Sequence, residues 1–106
     1  MRHMSAAELQ SWLATESRPV ELLDVREPWE FEVCRIEGSR LIPLSQLPGR
    51  LGELDPGRTT VVICHHGVRS LRAGAYLEHC GFGDVVNLSG GVDAWARTVD
   101  RGMAVY

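Results

Sequence analysis

One stretch constrains this chain more than any other: Val61-Val62-Ile63-Cys64-His65-His66-Gly67-Val68-Arg69-Ser70, running on into Leu71-Arg72-Ala73-Gly74-Ala75-Tyr76-Leu77. An apolar, β-branched run enters a short polar loop headed by a cysteine, and a helix-like segment follows. Strand, tight loop and helix in that order predict a crevice at the carboxyl end of a strand, where ligands bind in open α/β sheets. A loop that feeds a helix aims several unpaired backbone N–H groups at one spot, and the helix dipole adds partial positive charge there. Such groups stabilise a thiolate. Cys64 is therefore read as a nucleophile set in an anion-binding cradle.

The rest of the chain alternates in the same way. Ser5-Ala6-Ala7-Glu8 is a capping box, and Leu9, Trp12 and Leu13 then share one helical face, so a first helix should end before Pro19. Val20 to Val25 reads as a strand buried on both faces. Pro28 suits the first turn of a short helix through Phe31, and Leu41-Ile42-Pro43 is a brief strand. Ser45 is placed to cap a helix carrying Leu47, Leu51 and Leu54, and Asp55-Pro56-Gly57 forms a turn. Thr59 to Cys64 is the best strand and the candidate centre of the sheet. The helix after the loop should run to about Cys80 with Gly81 as its terminator. Val85 to Leu88, the tight loop Ser89-Gly90-Gly91 and a short helix through Trp95 complete the series. Alternating strands and helices imply right-handed crossovers and a small three-layer α/β fold, its mainly parallel central sheet covered by helices on both faces.

Composition removes whole classes of chemistry. All eleven basic residues are arginine, so Schiff-base lysines, lysine general bases and a Walker-type phosphate lysine are absent. A net charge of −3 without a basic stripe argues against nucleic acid as a partner. At 106 residues the chain is expected to be one domain, residues 1–106, and a monomer. It has no apolar run long enough to span a bilayer and no signal-peptide pattern at Met1-Arg2-His3-Met4, so a cytoplasmic location is expected. Met4 could serve as the start, with residues 1–3 an extension of a chain that goes straight into its first helix. Three cysteines, Cys34, Cys64 and Cys80, form no C-x-x-C pair and read as free thiols in a reducing compartment.

Four segments, taken together in their order and spacing, make the chain resemble the rhodanese-like domains, small α/β sulfurtransferases. These are Asp24-Val25-Arg26-Glu27 as the D-x-R-E strand end, and Cys64-His65-His66-Gly67-Val68-Arg69-Ser70 as the C-x-x-G active loop. Gly90-Gly91-Val92-Asp93-Ala94-Trp95 is the G-G-x-x-x-W element, and Cys34-Arg35-Ile36-Glu37-Gly38-Ser39 is an altered G-H-I-x-G-A segment. The resemblance covers about residues 5–99. It implies that Cys64 accepts a sulfane sulfur from a donor such as thiosulfate, becomes a persulfide, and passes the sulfur to cyanide or a thiol. The loop suits that chemistry on physical grounds. Backbone N–H groups from His65 through His66, Gly67, Val68 and Arg69 to Ser70 can cradle an anionic sulfur. Gly67 permits a tight turn, and Arg69 offers a fork of donors as the main side-chain contributor. His65 and His66 line the mouth and, with Arg69, favour an anionic donor. Asp24 and Arg26 are expected to brace the strand end rather than take part in chemistry.

Other readings fit less well. Cys80 follows Cys64 mostly along one helix, about 20 Å away at 1.5 Å per residue, too far for a disulfide or for a zinc site shared with Cys64-His65-His66. Neither a metal nor an organic cofactor is expected. A phosphatase or arsenate reductase would show C-x5-R, whereas Cys64 to Arg69 is C-x4-R, a smaller cradle suited to a single sulfur. A non-catalytic module would lack the cysteine. A relay passing sulfur to a protein partner stays open, because function is not read from fold alone.

Overall fold

In the computed structural model, which describes Met1–Tyr106, the chain runs β1 (Arg2–Met4), α1 (Ala6–Thr15), β2 (Val20–Asp24), α2 (Pro28–Val33) and β3 (Arg40–Leu41). It continues through α3 (Leu47–Arg50), flanked by 3-10 turns at Leu44–Gln46 and Leu51–Glu53, then β4 (Thr59–Ile63), α4 (Val68–His79), β5 (Val85–Leu88) and α5 (Gly91–Thr98). The five strands form one sheet in the order β1-β5-β4-β2-β3, and every pairing is parallel. The β-branched run before Cys64 is thus the middle strand, as its composition predicts.

Alternation along β4 divides the core in two. Val62, with Cys64 just beyond the strand, faces Leu47, Leu54, Ala73 and Leu77 on the α3 and α4 side. Val61 and Ile63 face Ala6, Leu9, Val92 and Trp95 on the α1 and α5 side. Both faces are covered, so the central strands can be apolar throughout. Ser5 and Glu8 form the expected capping box, at 3.1 and 2.9 Å. At the far end of α4, the Gly81 N–H donates to the Glu78 carbonyl and the Phe82 N–H to the Leu77 carbonyl, both at 3.1 Å, closing the helix in a Schellman motif. No helix is long and apolar enough to cross a membrane.

Two segments differ from the sequence reading. Residues 2–4 are not a lead-in to α1: they form β1, pairing with Val86, Asn87 and Leu88 of β5 at the sheet edge. Three residues are too few to show an alternation, so only the unpaired edge of β5 explains this strand. Ser45 does not cap a helix; it lies inside a 3-10 turn preceded by Pro43, and the segment breaks into three short turns. Pro48, Gly49 and Gly52 weaken a continuous helix there, while Leu47 and Leu54 still reach the core.

The end of β2 is held by a fully buried ion pair. Arg26 donates through Nε and Nη2 to the two oxygens of Asp24, at 2.9 and 2.6 Å, and neither side chain has any exposed surface. The remaining guanidinium hydrogens go to the carbonyls of Cys34 (2.7 Å) and Glu30 (3.2 Å) and to the Tyr106 hydroxyl (2.9 Å). Asp24 also accepts the Arg26 backbone N–H at 3.0 Å. A buried charge is tolerated only when its partner and hydrogen bonds are all in place. Asp24→Asn is therefore expected to strand the Arg26 charge and cost about 3–5 kcal/mol, read as a lowered midpoint in urea unfolding with the m-value unchanged.

Candidate active site

Cys64 directly follows the central strand and is only 1% exposed. Its sulfur accepts the backbone N–H of Gly67 at 3.0 Å and that of Ser70 at 3.4 Å, and donates toward Ser70 Oγ at 3.3 Å. Gly67 precedes α4 with φ of 101°, and a Cβ there would meet the Gly90 amide at 3.2 Å, so both turn and packing require glycine. Ser70 Oγ in turn donates to Asn87 Oδ1 on β5 in a short contact, and the Asn87 amide nitrogen faces His3 Nδ1 at 3.4 Å. With its proton committed to Asn87, Ser70 presents an oxygen lone pair to the Cys64 thiol.

The loop carbonyls are used elsewhere. Cys64 C=O accepts the Val92 N–H at 2.9 Å and His65 C=O accepts the Asp93 N–H at 3.1 Å, both from the first turn of α5. These are helix amides with no partner inside their own helix. A Cβ on Gly91 would lie 2.3 Å from both carbonyl oxygens, which fixes the glycine.

Arg69 lies in the first turn of α4, and its guanidinium is engaged by a residue not singled out in the sequence. Nη1 and Nη2 donate to Glu30 Oε2 and Oε1 at 2.7 and 2.8 Å, a bidentate pair with the glutamate side chain 5% exposed and the arginine 34%. Glu30 also accepts the Glu27 N–H at 2.8 Å and the Tyr106 hydroxyl at 3.0 Å. Arg69, opposed by burial and aided by Glu27 and Tyr106, lowers the Glu30 carboxyl from 4.5 to about 2. Burial raises the Tyr106 phenol to about 12.

His65 lies flat against Tyr106, with ring centroids 3.9 Å apart and planes within 7°, and tilts against His66 at the same distance. Burial, followed by the neighbouring His66, pushes the His65 imidazole down, so it is neutral at neutral pH. His65, His66 and Asp93 bring ligand atoms within 4.8 Å of one another. The His65 and His66 planes are 33° apart, and His65 is also stacked on Tyr106. Asp93 is moreover engaged by Arg97 at 3.0 Å. Val68 is 69% exposed at the mouth, and Trp29, 59% exposed, meets the edge of Tyr106. Cys34 is buried and Cys80 half-buried, both free.

Residues 5–98 match the family model described as Rhodanese-like domain. The chain belongs to this family. Among relatives of this rhodanese-like domain, a protein named "Probable adenylyltransferase/sulfurtransferase MoeZ" of Mycobacterium tuberculosis is 41% identical over 101 residues, covering 93% of this chain and 26% of MoeZ. The chain thus spans about a quarter of the length of that relative. Thiosulfate sulfurtransferase GlpE of Shewanella oneidensis is 35% identical over 89% of this chain and 91% of its own length. A crystal structure of a rhodanese-like domain protein from Staphylococcus aureus superposes with a TM-score of 0.84 at 34% identity, covering 100% of this chain and 99% of that one. The family and its sulfurtransferase-named relatives support sulfur transfer as the general class of chemistry.

The Glu30–Arg69 pair gives the rhodanese-like site an acid signature. A carboxyl whose folded pKa is depressed contributes stability above the unfolded value and loses it as pH falls through the folded one. Stability from Glu30 is full above 4.5 and lost toward about 2. Glu30→Gln should flatten the pH dependence of the unfolding free energy across that interval, measured by urea titrations followed by circular dichroism.

Proposed function

We propose that this domain is a sulfurtransferase that carries a sulfane sulfur as a persulfide on Cys64. The observation that carries the reading is the position of the Cys64 sulfur: buried at the end of the central strand, facing the amides of Gly67 and Ser70. Amide donors fixed by the fold stabilise charge where it develops, without reorganising at the moment of reaction. The Cys64 thiolate attacks the outer sulfur of thiosulfate; the new S–S bond forms as the donor S–S bond breaks, and sulfite leaves with the electron pair. The persulfide anion that results is held by the same amides. Attack of cyanide or a thiolate on the outer sulfur then breaks the Cys64 S–S bond and returns the thiolate, following thiol exchange logic. Neither a metal nor an organic cofactor enters the electron balance. Gly67, Val68 and Ser70 form the cradle with Arg69, His65 and His66 beside it, and Asp24 and Arg26 brace it from below.

The reading extends to a single domain of residues 1–106 acting as a monomer in a reducing, cytoplasmic compartment. A relay role, with a protein as sulfur acceptor, draws support from MoeZ, in which the matching region is part of a longer chain named for both adenylyl and sulfur transfer. The phosphatase reading fits the geometry poorly, because the fork of Arg69 that would clasp a phosphate is already on Glu30.

Intact-protein mass spectrometry after incubation with thiosulfate tests the reading. The native protein should gain the mass of one sulfur, lose it on addition of cyanide, and show no gain as Cys64→Ser. Phosphate-ester hydrolysis without a sulfur adduct would overturn it.

A further inference from the structure

Resting on the sulfurtransferase reading, we propose that Glu30 sets the charge class of the donor: by holding the Arg69 guanidinium it makes the site select a singly charged persulfide over doubly charged thiosulfate. From the sequence, Arg69 appears free to receive an anion. In the structure both of its terminal nitrogens donate to one carboxylate, which neutralises its charge, and that carboxylate is itself fixed by two further donors, the Glu27 amide and the Tyr106 hydroxyl. Tyr106 is held in place by Arg26 and by stacking on His65. Glu30 is therefore not a passing surface partner that an incoming anion displaces at small cost.

The other charges tied to this region are paired as well. Arg26 is balanced by Asp24, and Arg97 by Asp93, which also lies 4.0 Å from His66. What the loop offers an anion is its backbone N–H groups, enough for the one charge that resides on a terminal sulfur. Thiosulfate brings a second charge on its sulfonate end, and that end meets a compensated arginine with a carboxylate behind it. A persulfide, R–S–S⁻, carries its single charge on the sulfur to be transferred. The Cys64 thiolate attacks that sulfur, the Cys64 S–S bond forms as the donor S–S bond breaks, and the thiolate R–S⁻ leaves with the electron pair. Charge is conserved without any further reactant.

Glu30 acts here as a positioning residue, through Arg69. Glu30→Gln keeps the shape and removes the charge, its one oxygen left for the Glu27 amide and its NH2 group turned to the Tyr106 oxygen, freeing Arg69 for the sulfonate. The Michaelis constant for thiosulfate should fall about tenfold with kcat nearly unchanged, while the constant for 2-hydroxyethyl persulfide, whose only charge is on the terminal sulfur, moves much less, since one Coulomb interaction has been relieved for the extra charge alone. The gain should vanish in the double variant Glu30→Gln, Arg69→Gln, because the two effects are coupled through one contact. A thiosulfate constant that is unchanged or raised in a folded Glu30→Gln protein overturns the proposal. Should that variant not fold, the native protein decides: saturation with thiosulfate only in the millimolar range supports the proposal, and saturation in the micromolar range overturns it. Mass spectrometry on the native protein separates the two levels. If neither donor loads sulfur on Cys64, the sulfurtransferase reading fails and this inference with it; if both load with no dependence on Glu30, only this inference fails.

Discussion

A peptide group cannot aim its N–H at an anion without sending its C=O the other way, because the trans peptide is planar. The amides of His65 and His66 share their peptide planes with the carbonyls of Cys64 and His65, so their aim depends on where those two carbonyls go. Here the carbonyls of Cys64 and His65 are received by the amides of Val92 and Asp93, the first turn of α5. Helix amides at that position lack partners in their own helix, so each side resolves the other's deficit. The contact is close enough that Gly91 admits no side chain. Strand β4, the loop and α5 are thereby locked into one unit, and the Gly-Gly step that looks like a mere turn in the sequence is the seat on which the cradle rests.

A second constraint runs at right angles to the first, through charge. From the end of β2 a continuous path leads from Asp24 to Arg26, to the Tyr106 hydroxyl, to Glu30 and on to Arg69 in the first turn of α4. The charges alternate in sign along it, with the neutral phenol between Arg26 and Glu30, and each charge has a partner at hydrogen-bond distance. Because Arg26 and Asp24 are wholly buried, this end of the path is rigid, and its rigidity is passed outward to an arginine that is one-third exposed. The side chains around Cys64 thus supply shape, and the positive character of the cradle comes chiefly from the backbone.

The parts of this architecture legible in the sequence are those written in local or periodic signals. The apolar run ending in Cys64 marks the central strand, Ser5 with Glu8 marks a helix start, and Gly81 marks a helix end; each is decided by residues within a few positions of one another. Strand β1 was not legible, since its three residues gain meaning only against the edge of β5, more than eighty positions away. Glu30 was hidden for the same reason. It looks like one more solvated acid in Pro-Trp-Glu-Phe-Glu, and only the fold brings it to Arg69, thirty-nine positions on. Tyr106 had no motif at all; its hydroxyl meets Glu30 across seventy-six positions. The reading of Arg69 as a free anion fork followed from charge alone and left out the carboxylate that α2 delivers.

The burial of Cys64 adds a steric condition to the electrostatic one. The residue belongs to the apolar core on the α4 side, while its sulfur faces the loop amides, so the thiol sits at the boundary between packed side chains and polar backbone. A sulfur this enclosed cannot react with a bulky group lying flat on the surface. The reacting atom of the donor has to enter the loop end-on, which suits a terminal sulfur at the tip of a small or tapered molecule. In the proposed persulfide, the same enclosure would hold the outer sulfur against fixed amides and apart from bulk water, where interactions with charge are weakest. On the proposed reading, size and charge select in sequence: the loop admits only a terminal sulfur, and the Glu30–Arg69 pair judges what that sulfur is attached to.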